Sequence, residues 1–369
     1  MPPASVLIKP ASSGCNLQCK YCFYHSVSKS REIKNYGIMK EETLVNLVKN
    51  ILEYADDYCV FAFQGGEPTL AGLEFYQKVI ELQKQFNYKN LKIENTIQTN
   101  GTLIDEKWAE FFVKNDFLVG ISIDGPKDIN DAARVEIGGK SIFNKVLNTI
   151  QLFDNYKVQY NVLCVVTSYV ARHIGQVYNF YKKLGIKFMQ FIPCLDGIGE
   201  ETTFYSLNNK KYSDFLKKLF DLWYEDFTKG ENIDIRYFSN IIQMAAGYKA
   251  EACGMSGSCH CYFVVEADGS VYPCDFYVTD YWKLGNLNKY NFDTLIKDPK
   301  VSEFIKSSLF VDDKCKKCKF FMLCRGGCRR WREPYIDEKP SINQLCEAYK
   351  NFFEYTQDRI YNLSRILKR

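Results

Sequence analysis

The chain has 369 residues, a formal net charge of +4, 46% hydrophobic and 25% charged residues, and 15 cysteines. That balance supports a sizeable core and excludes both wholesale disorder and a small disulfide scaffold. A charge of +4 is too small to argue for a nucleic-acid partner, and no run approaches about 18 uninterrupted apolar residues, so no membrane span is expected.

Residues 1–14, MPPASVLIKPASSG, lack the basic region, apolar run and small-residue cleavage site of a secretory signal, so a cytoplasmic location is expected. Cysteines in such a chain point to metal or redox chemistry instead of disulfides. His25, His173 and His260 are the only histidines and are scattered, which excludes a multi-histidine metal site. HExxH, GxxxxGK[ST] and GxGxxG are absent, so metalloprotease, P-loop and Rossmann readings lose their main support.

In chain order, short apolar strands are predicted at Ser5–Lys9, Cys59–Gln64, Leu91–Gln98, Leu118–Ile123, Gln159–Val166 and Lys187–Ile192. Helical patterns over Glu41–Tyr54, Leu73–Phe86, Asp105–Lys114, Ser141–Asn155 and Ile174–Leu184 separate them. Asp105 reads as an N-cap, with Trp108, Phe111 and Phe112 on one helix face. Six strand–helix units favour a parallel sheet, because parallel strands need crossover connections. Six are too few for a full eightfold barrel, so an α/β fold with a partial barrel or open sheet is expected. Polar or glycine-rich segments follow several strands: Gln64–Glu67, Gln98–Gly101 and Asp124–Pro126. In α/β barrels that rim binds ligands.

A helix near Tyr212–Phe227 precedes a change in composition, and the predicted domain boundary is 1–235 and 236–369. Nine cysteines lie between Cys253 and Cys346. Phe263–Glu266 and Ser270–Tyr272 flank the turn Ala267-Asp268-Gly269 as a hairpin. A closing helix is predicted over Gln344–Leu367. The second domain reads as one held by cysteine ligation.

Cys15, Cys19 and Cys22 form a C-x3-C-x2-C loop directly after the first strand. Three thiolates can hold three irons of a 4Fe–4S cluster and leave the fourth open; a zinc knuckle is the alternative. An electron carrier supplies four cysteines, so an open iron implies that something else binds there. The loop, with Tyr21 at its aromatic position, resembles the signature of the radical S-adenosylmethionine (SAM) superfamily. Gly65-Gly66-Glu67-Pro68 is similar to that family's next element. The resemblance implies that S-adenosyl-L-methionine is held on the open iron and cleaved to a 5′-deoxyadenosyl radical. It implies contacts to this cofactor from Tyr21, Gly66, Ser122, Arg134 and Leu195.

Cys253, Cys259 and Cys274 surround the hairpin, and Cys315, Cys318, Cys324 and Cys328 follow before Cys346. Eight cysteines suit two fully ligated 4Fe–4S clusters, with structural zinc as the alternative. The set resembles the SPASM extension of radical enzymes that modify peptides and proteins. By that resemblance, Cys253, Cys259, Cys274 and Cys328 hold one auxiliary cluster, while Cys315, Cys318, Cys324 and Cys346 hold the other. The implied architecture is a partial (β/α)6 TIM-like barrel with a C-terminal SPASM domain, and the implied total is three 4Fe–4S clusters. Eleven cysteines are thereby placed. Cys59 and Cys164 read as buried small hydrophobes, and Cys194 and Cys261 as core with a less secure place.

Val271–Tyr277, Leu7–Gly14, Phe63–Leu70 and Leu222–Phe227 extend the resemblance to the anaerobic sulfatase-maturating enzymes. Those enzymes oxidise a cysteine or serine of a sulfatase polypeptide to Cα-formylglycine by removing a β-hydrogen. The resemblance implies that Asp275 accepts the proton, that a flavodoxin- or ferredoxin-type protein supplies electrons, and that the chain is a monomer. Gln64, Gln98 and Tyr24 are candidates to line the cavity. A thioether-forming SPASM maturase would share every cluster ligand, so Asp275 discriminates. A non-enzymatic three-cluster electron carrier is disfavoured by the three-cysteine loop.

Overall fold

Alternation of buried and half-buried residues defines the strands, as expected of short segments rich in Val, Ile, Phe and Tyr. The computed structural model describes residues 4–197, 202–336 and 339–367. Its described residues fall into two compact units. The first lies within Met1–Ile123, Asp131–Asn161 and Cys261–Ser302; the second lies within Asp124–Asn130, Val162–His260 and Glu303–Arg369.

In the first unit β1 (Ala4–Ile8), β2 (Tyr58–Phe63), β3 (Lys92–Thr99) and β4 (Phe117–Ser122) run parallel. Ala4 lies opposite Cys59, Tyr58 opposite Lys92 and Asn95 opposite Phe117. Helices Glu41–Tyr54, Leu73–Phe86 and Glu106–Lys114 lie in the three crossovers that join these strands. Asp105 caps the last of these, its Oδ1 accepting from Trp108 N–H at 3.1 Å. Tyr76 is fully buried and packs edge-on against Phe63, Trp108 and Phe117. Each such side chain taken from water contributes roughly 1.5–3 kcal/mol.

The second unit holds β5 (Tyr160–Val166) from Val162 onward, β6 (Phe188–Pro193) and β7 (Asp234–Ile235), also parallel. Helices Asn209–Thr228 and Cys346–Leu367 pack on each other through Phe220 and Phe352, with Phe238 against both rings. Asn208 caps the former, accepting from Lys211 N–H at 2.9 Å.

The late hairpin belongs to the first unit. β8 (Val264–Val265) pairs antiparallel with β9 (Ser270–Tyr272), and β9 pairs antiparallel with β10 (Gly285–Asn286). β8 also joins β1 in parallel, Leu7 opposite Val264. The strand starts one residue later than its composition suggests because Phe263 is left-handed, φ +53°. That turn drives its ring into the core against Tyr54 and Phe292.

Candidate active site

The end of β1 leads straight into the cysteine loop. Gly66 N–H donates to Ser12 O at 2.9 Å and Glu67 N–H to Gly14 O at 2.7 Å, so the Gly65–Pro68 turn is laid on the backbone that precedes Cys15. A Cβ on Gly66 would stand 2.0 Å from Gly14 O, which is why that position requires glycine. Glu67 is buried. Its Oε1 accepts from Thr69 N–H, Thr69 Oγ1 and Thr99 Oγ1, and its Oε2 from Asn100 N–H at 2.7 Å. Burial pushes this carboxyl up, against the pull of those hydrogen bonds. Glu67 therefore ties its own turn to the end of β3. Asn100 carries the tie back to the cysteine loop through Asn16 Oδ1 at 2.9 Å, with its amide 4.0 Å from Cys15 Sγ.

Other sequence-predicted residues meet here. The loop backbone donates from Gln18 to Val135 O and from Lys20 to Ala133 O, which sets Arg134 beside it. Arg134 Nη1 donates to Tyr21 Oη at 2.8 Å. Gln98 Nε2 donates to Ser122 Oγ at 2.9 Å. Leu195, half-buried just after β6, belongs to the second unit.

Helix Phe23–Lys29 begins at Cys22, and Phe23 packs against Phe276 with centroids 5.0 Å apart. This brings Tyr24 to Asp275, which follows β9 in the same unit. Tyr24 Oη donates to Asp275 Oδ2 at 2.5 Å and accepts from Gln64 Nε2 at 2.8 Å. Burial, then the neighbouring Asp275, pushes the Tyr24 phenol well up, so it stays a donor. Lys9 Nζ forms an ion pair with Asp275 Oδ1 at 2.8 Å. Tyr24 and Gln64 were legible as cavity candidates. Lys9 was missed, although a lysine closing an otherwise apolar strand was the available signal.

The eleven cysteines assigned to clusters are all partly exposed, whereas Cys59, Cys164 and Cys194 are buried. Cys15 is pushed up to about 12, first by burial and then by Glu67, Cys19 and Cys22, against the Leu17 N–H. In the second unit Cys253, Cys259 and Cys328 line one small cavity. Cys328 is pushed up to about 12 by burial, with Cys253 and Cys259 adding to it. Cys315, Cys318, Cys324 and Cys346 line a separate cavity of about 730 Å³. Cys324 is pushed up to about 11 by burial, with the other three adding to it. Cys274 lies in the first unit. Cys15, Cys328 and Cys324 are each raised by neighbouring cysteines, so ionising these thiols together needs a cationic group, the chemistry an iron–sulfur cluster supplies.

The radical SAM superfamily model matches residues 10–180, and a model described as an iron–sulfur cluster-binding (SPASM) domain matches residues 253–319. A cysteine-type anaerobic sulfatase-maturating enzyme of Clostridium perfringens is 54% identical over 370 residues, covering 100% of both chains. The chain belongs to the anaerobic sulfatase-maturating enzymes. Within that family of radical SAM enzymes, a serine-type member from Bacteroides thetaiotaomicron is 31% identical, covering 96% of this chain and 89% of its own. A solved structure described as native anSMEcpe with bound AdoMet and Cp18Cys peptide matches with a TM-score of 0.95 at 53% identity. The match covers 99% of this chain and 100% of that one. Among the described residues no helix is long and apolar enough to cross a membrane.

Proposed function

We propose that this family member oxidises a cysteine of a sulfatase polypeptide to Cα-formylglycine, with Asp275 as the proton acceptor. The observation that carries the reading is the partly buried Lys9–Asp275–Tyr24–Gln64 constellation, in which Tyr24 lies on the helix capped by the last cysteine of the loop. The choice of cysteine rests on identity: relatives at 54% and 47% are cysteine-type, whereas serine-type relatives stand at 31% and 29%.

Cys15, Cys19 and Cys22 would hold the open cluster; Cys253, Cys259, Cys274 and Cys328, and Cys315, Cys318, Cys324 and Cys346, would hold two more. S-Adenosylmethionine would be contacted by Tyr21, Gly66, Ser122, Arg134 and Leu195. When bound, these groups supply a hydrogen-abstracting radical and a sink for electrons. The protein's own residues supply position and proton transfer. Tyr24 fixes one carboxylate oxygen of Asp275, Gln64 fixes Tyr24, and the other oxygen, facing Lys9, keeps a lone pair to accept a proton. The functional division is proposed at 235/236, supported by the spans of the two matched family models. A flavodoxin- or ferredoxin-type reductant in the cytoplasm completes the reading, with the chain acting as a monomer.

The test is anaerobic turnover of a cysteine-containing sulfatase peptide, followed by mass spectrometry for the aldehyde and chromatography for 5′-deoxyadenosine. Asp275→Asn should keep 5′-deoxyadenosine formation and lower aldehyde by on the order of 10²–10⁴-fold. Full aldehyde yield from that variant would remove Asp275 from the reaction.

A further inference from the structure

We propose that Lys9 is a positioning residue for the oxidation, acting through Asp275. This rests on the reading of Asp275 given above. The Lys9 and Asp275 side chains are only 3% and 14% exposed, and their charged atoms are 2.8 Å apart. Among the described residues Asp275 is the only carboxylate within ion-pair distance of Lys9. A buried ammonium is costly unless paired, so the two charges hold each other in place.

The grip has a second contact. Lys9 Nζ stands 4.3 Å from the centre of the Tyr24 ring, whose hydroxyl holds the opposite carboxylate oxygen. Lysine and tyrosine thus form one clamp around the carboxylate, and each supports the other. The stem of Lys9 is fixed as well. Its N–H donates to Val265 O at 2.9 Å, and a Cβ added to Gly65 would stand 3.2 Å from its Cβ and Cγ. Gly65, at φ +124°, therefore leaves the space that the lysine stem fills. Both Gly65 and Gly66 face the backbone that precedes Cys15, through Ser12 O and Gly14 O, and Gly65 faces the lysine stem as well.

Tyr24 engages one carboxylate oxygen and the Lys9 ammonium faces the other at 2.8 Å, so Lys9 sets orientation while that oxygen keeps a second lone pair as an acceptor site. Removing the ammonium frees the carboxylate to rotate. The expected consequence is uncoupling: radical chemistry proceeds while the proton-dependent oxidation fails.

The experiment compares anaerobically reconstituted Lys9→Met, Lys9→Arg, Asp275→Asn and the Lys9→Met/Asp275→Asn pair with the unsubstituted enzyme. Iron content, melting temperature, 5′-deoxyadenosine, aldehyde and the peptide KM are measured. Lys9→Met should retain iron and 5′-deoxyadenosine formation while aldehyde kcat falls on the order of 10²-fold. Its peptide KM should stay within about twofold, since binding is not what the lysine supplies. Lys9→Arg should restore part of the aldehyde yield. Lys9→Met alone should lower the melting temperature, and the pair should regain it, because no unpaired carboxylate is left buried. An unchanged ratio of aldehyde to 5′-deoxyadenosine in Lys9→Met overturns the inference. An equal melting loss with and without Asp275→Asn does the same. Absence of aldehyde from the unsubstituted enzyme instead overturns the reaction reading, and the inference with it.

Discussion

Alanine at Gly66 is expected to damage both stability and the first cysteine loop, and the size of the effect follows from the contacts. The added Cβ would meet Gly14 O at 2.0 Å, Gly14 C at 2.6 Å and Ser13 C at 2.8 Å. Ordinary carbon–oxygen approaches are about 3.3 Å or more, so the two segments must part by more than about 1 Å. Gly66 is not among the positive-φ residues, so the whole cost comes from this contact and none from backbone preference. All three obstructing atoms are backbone, which cannot swing aside as a side chain would. Overpacking of this kind costs roughly 1–3 kcal/mol, and strain on the Gly66–Ser12 and Glu67–Gly14 hydrogen bonds adds about 1 kcal/mol. The expected loss is therefore about 2–4 kcal/mol. A displacement near 1 Å beside Cys15 should slow 5′-deoxyadenosine formation on the order of 10²-fold. Gly175→Ala is the matched control: it lies in helix Ile174–Lys183 with nothing within 4 Å of the new Cβ. It should gain about 0.5–1 kcal/mol. Denaturant unfolding under anaerobic conditions, with iron content and 5′-deoxyadenosine followed in parallel, gives both readouts. A Gly66→Ala protein within about 0.5 kcal/mol of the unsubstituted chain and equally fast would refute the steric argument.

Two further outcomes test other parts of the molecule. Arg31 and Glu266 form a buried pair at 2.6 Å, 2% and 1% exposed, that ties the segment after the first short helix to the hairpin turn. Arg31→Met should cost about 3–5 kcal/mol in an unfolding titration, and adding Glu266→Gln should recover much of it; additive losses would contradict the pairing. Burial raises the Asp226 carboxyl, but hydrogen bonds from Lys182 and Tyr178 and the Lys182 and Lys229 charges outweigh it, leaving the group below its ordinary range. A depressed folded value means stability that is present above the unfolded carboxylate range and lost as pH falls through the folded one. Unfolding measured across pH 5 to 2 should therefore show a steeper acid loss in the unsubstituted chain than in Asp226→Asn; parallel curves would refute it.

Much of the fold was legible because its signals are local. Predicted strand Cys59–Gln64 is observed as Tyr58–Phe63, and predicted Gln159–Val166 as Tyr160–Val166, since alternation and β-branched content act residue by residue. Asp105 caps as its position indicated. The closing helix starts at Cys346 instead of Gln344, so a predicted cluster ligand opens it. What local pattern did not reveal was partnership across the chain. Nothing in Phe263–Glu266 says that β8 extends the parallel sheet beside β1, because that pairing is decided by the packing of distant segments. The same holds for the site. Cysteine spacing and the Gly65–Pro68 turn were visible as motifs, but Lys9 acquires meaning only when β1 and the hairpin lie side by side and set it against Asp275. Asn100 falls in the rim segment Gln98–Gly101 read from the sequence, but its contacts with Asn16 and Cys15 depend on distant packing in the same way.

The β1–β8 pairing also bears on the order of events during synthesis. At about 5–20 residues per second, roughly 10–40 s pass between emergence of β2 and arrival of Asp275. Throughout that interval β1 has one neighbour and one bare edge, and Lys9 has no carboxylate to face. A nascent chain can thus present the complete three-cysteine loop well before the residue proposed to harness it exists. Docking of the late hairpin on the waiting edge is therefore the step that brings Asp275 to the loop and to Lys9.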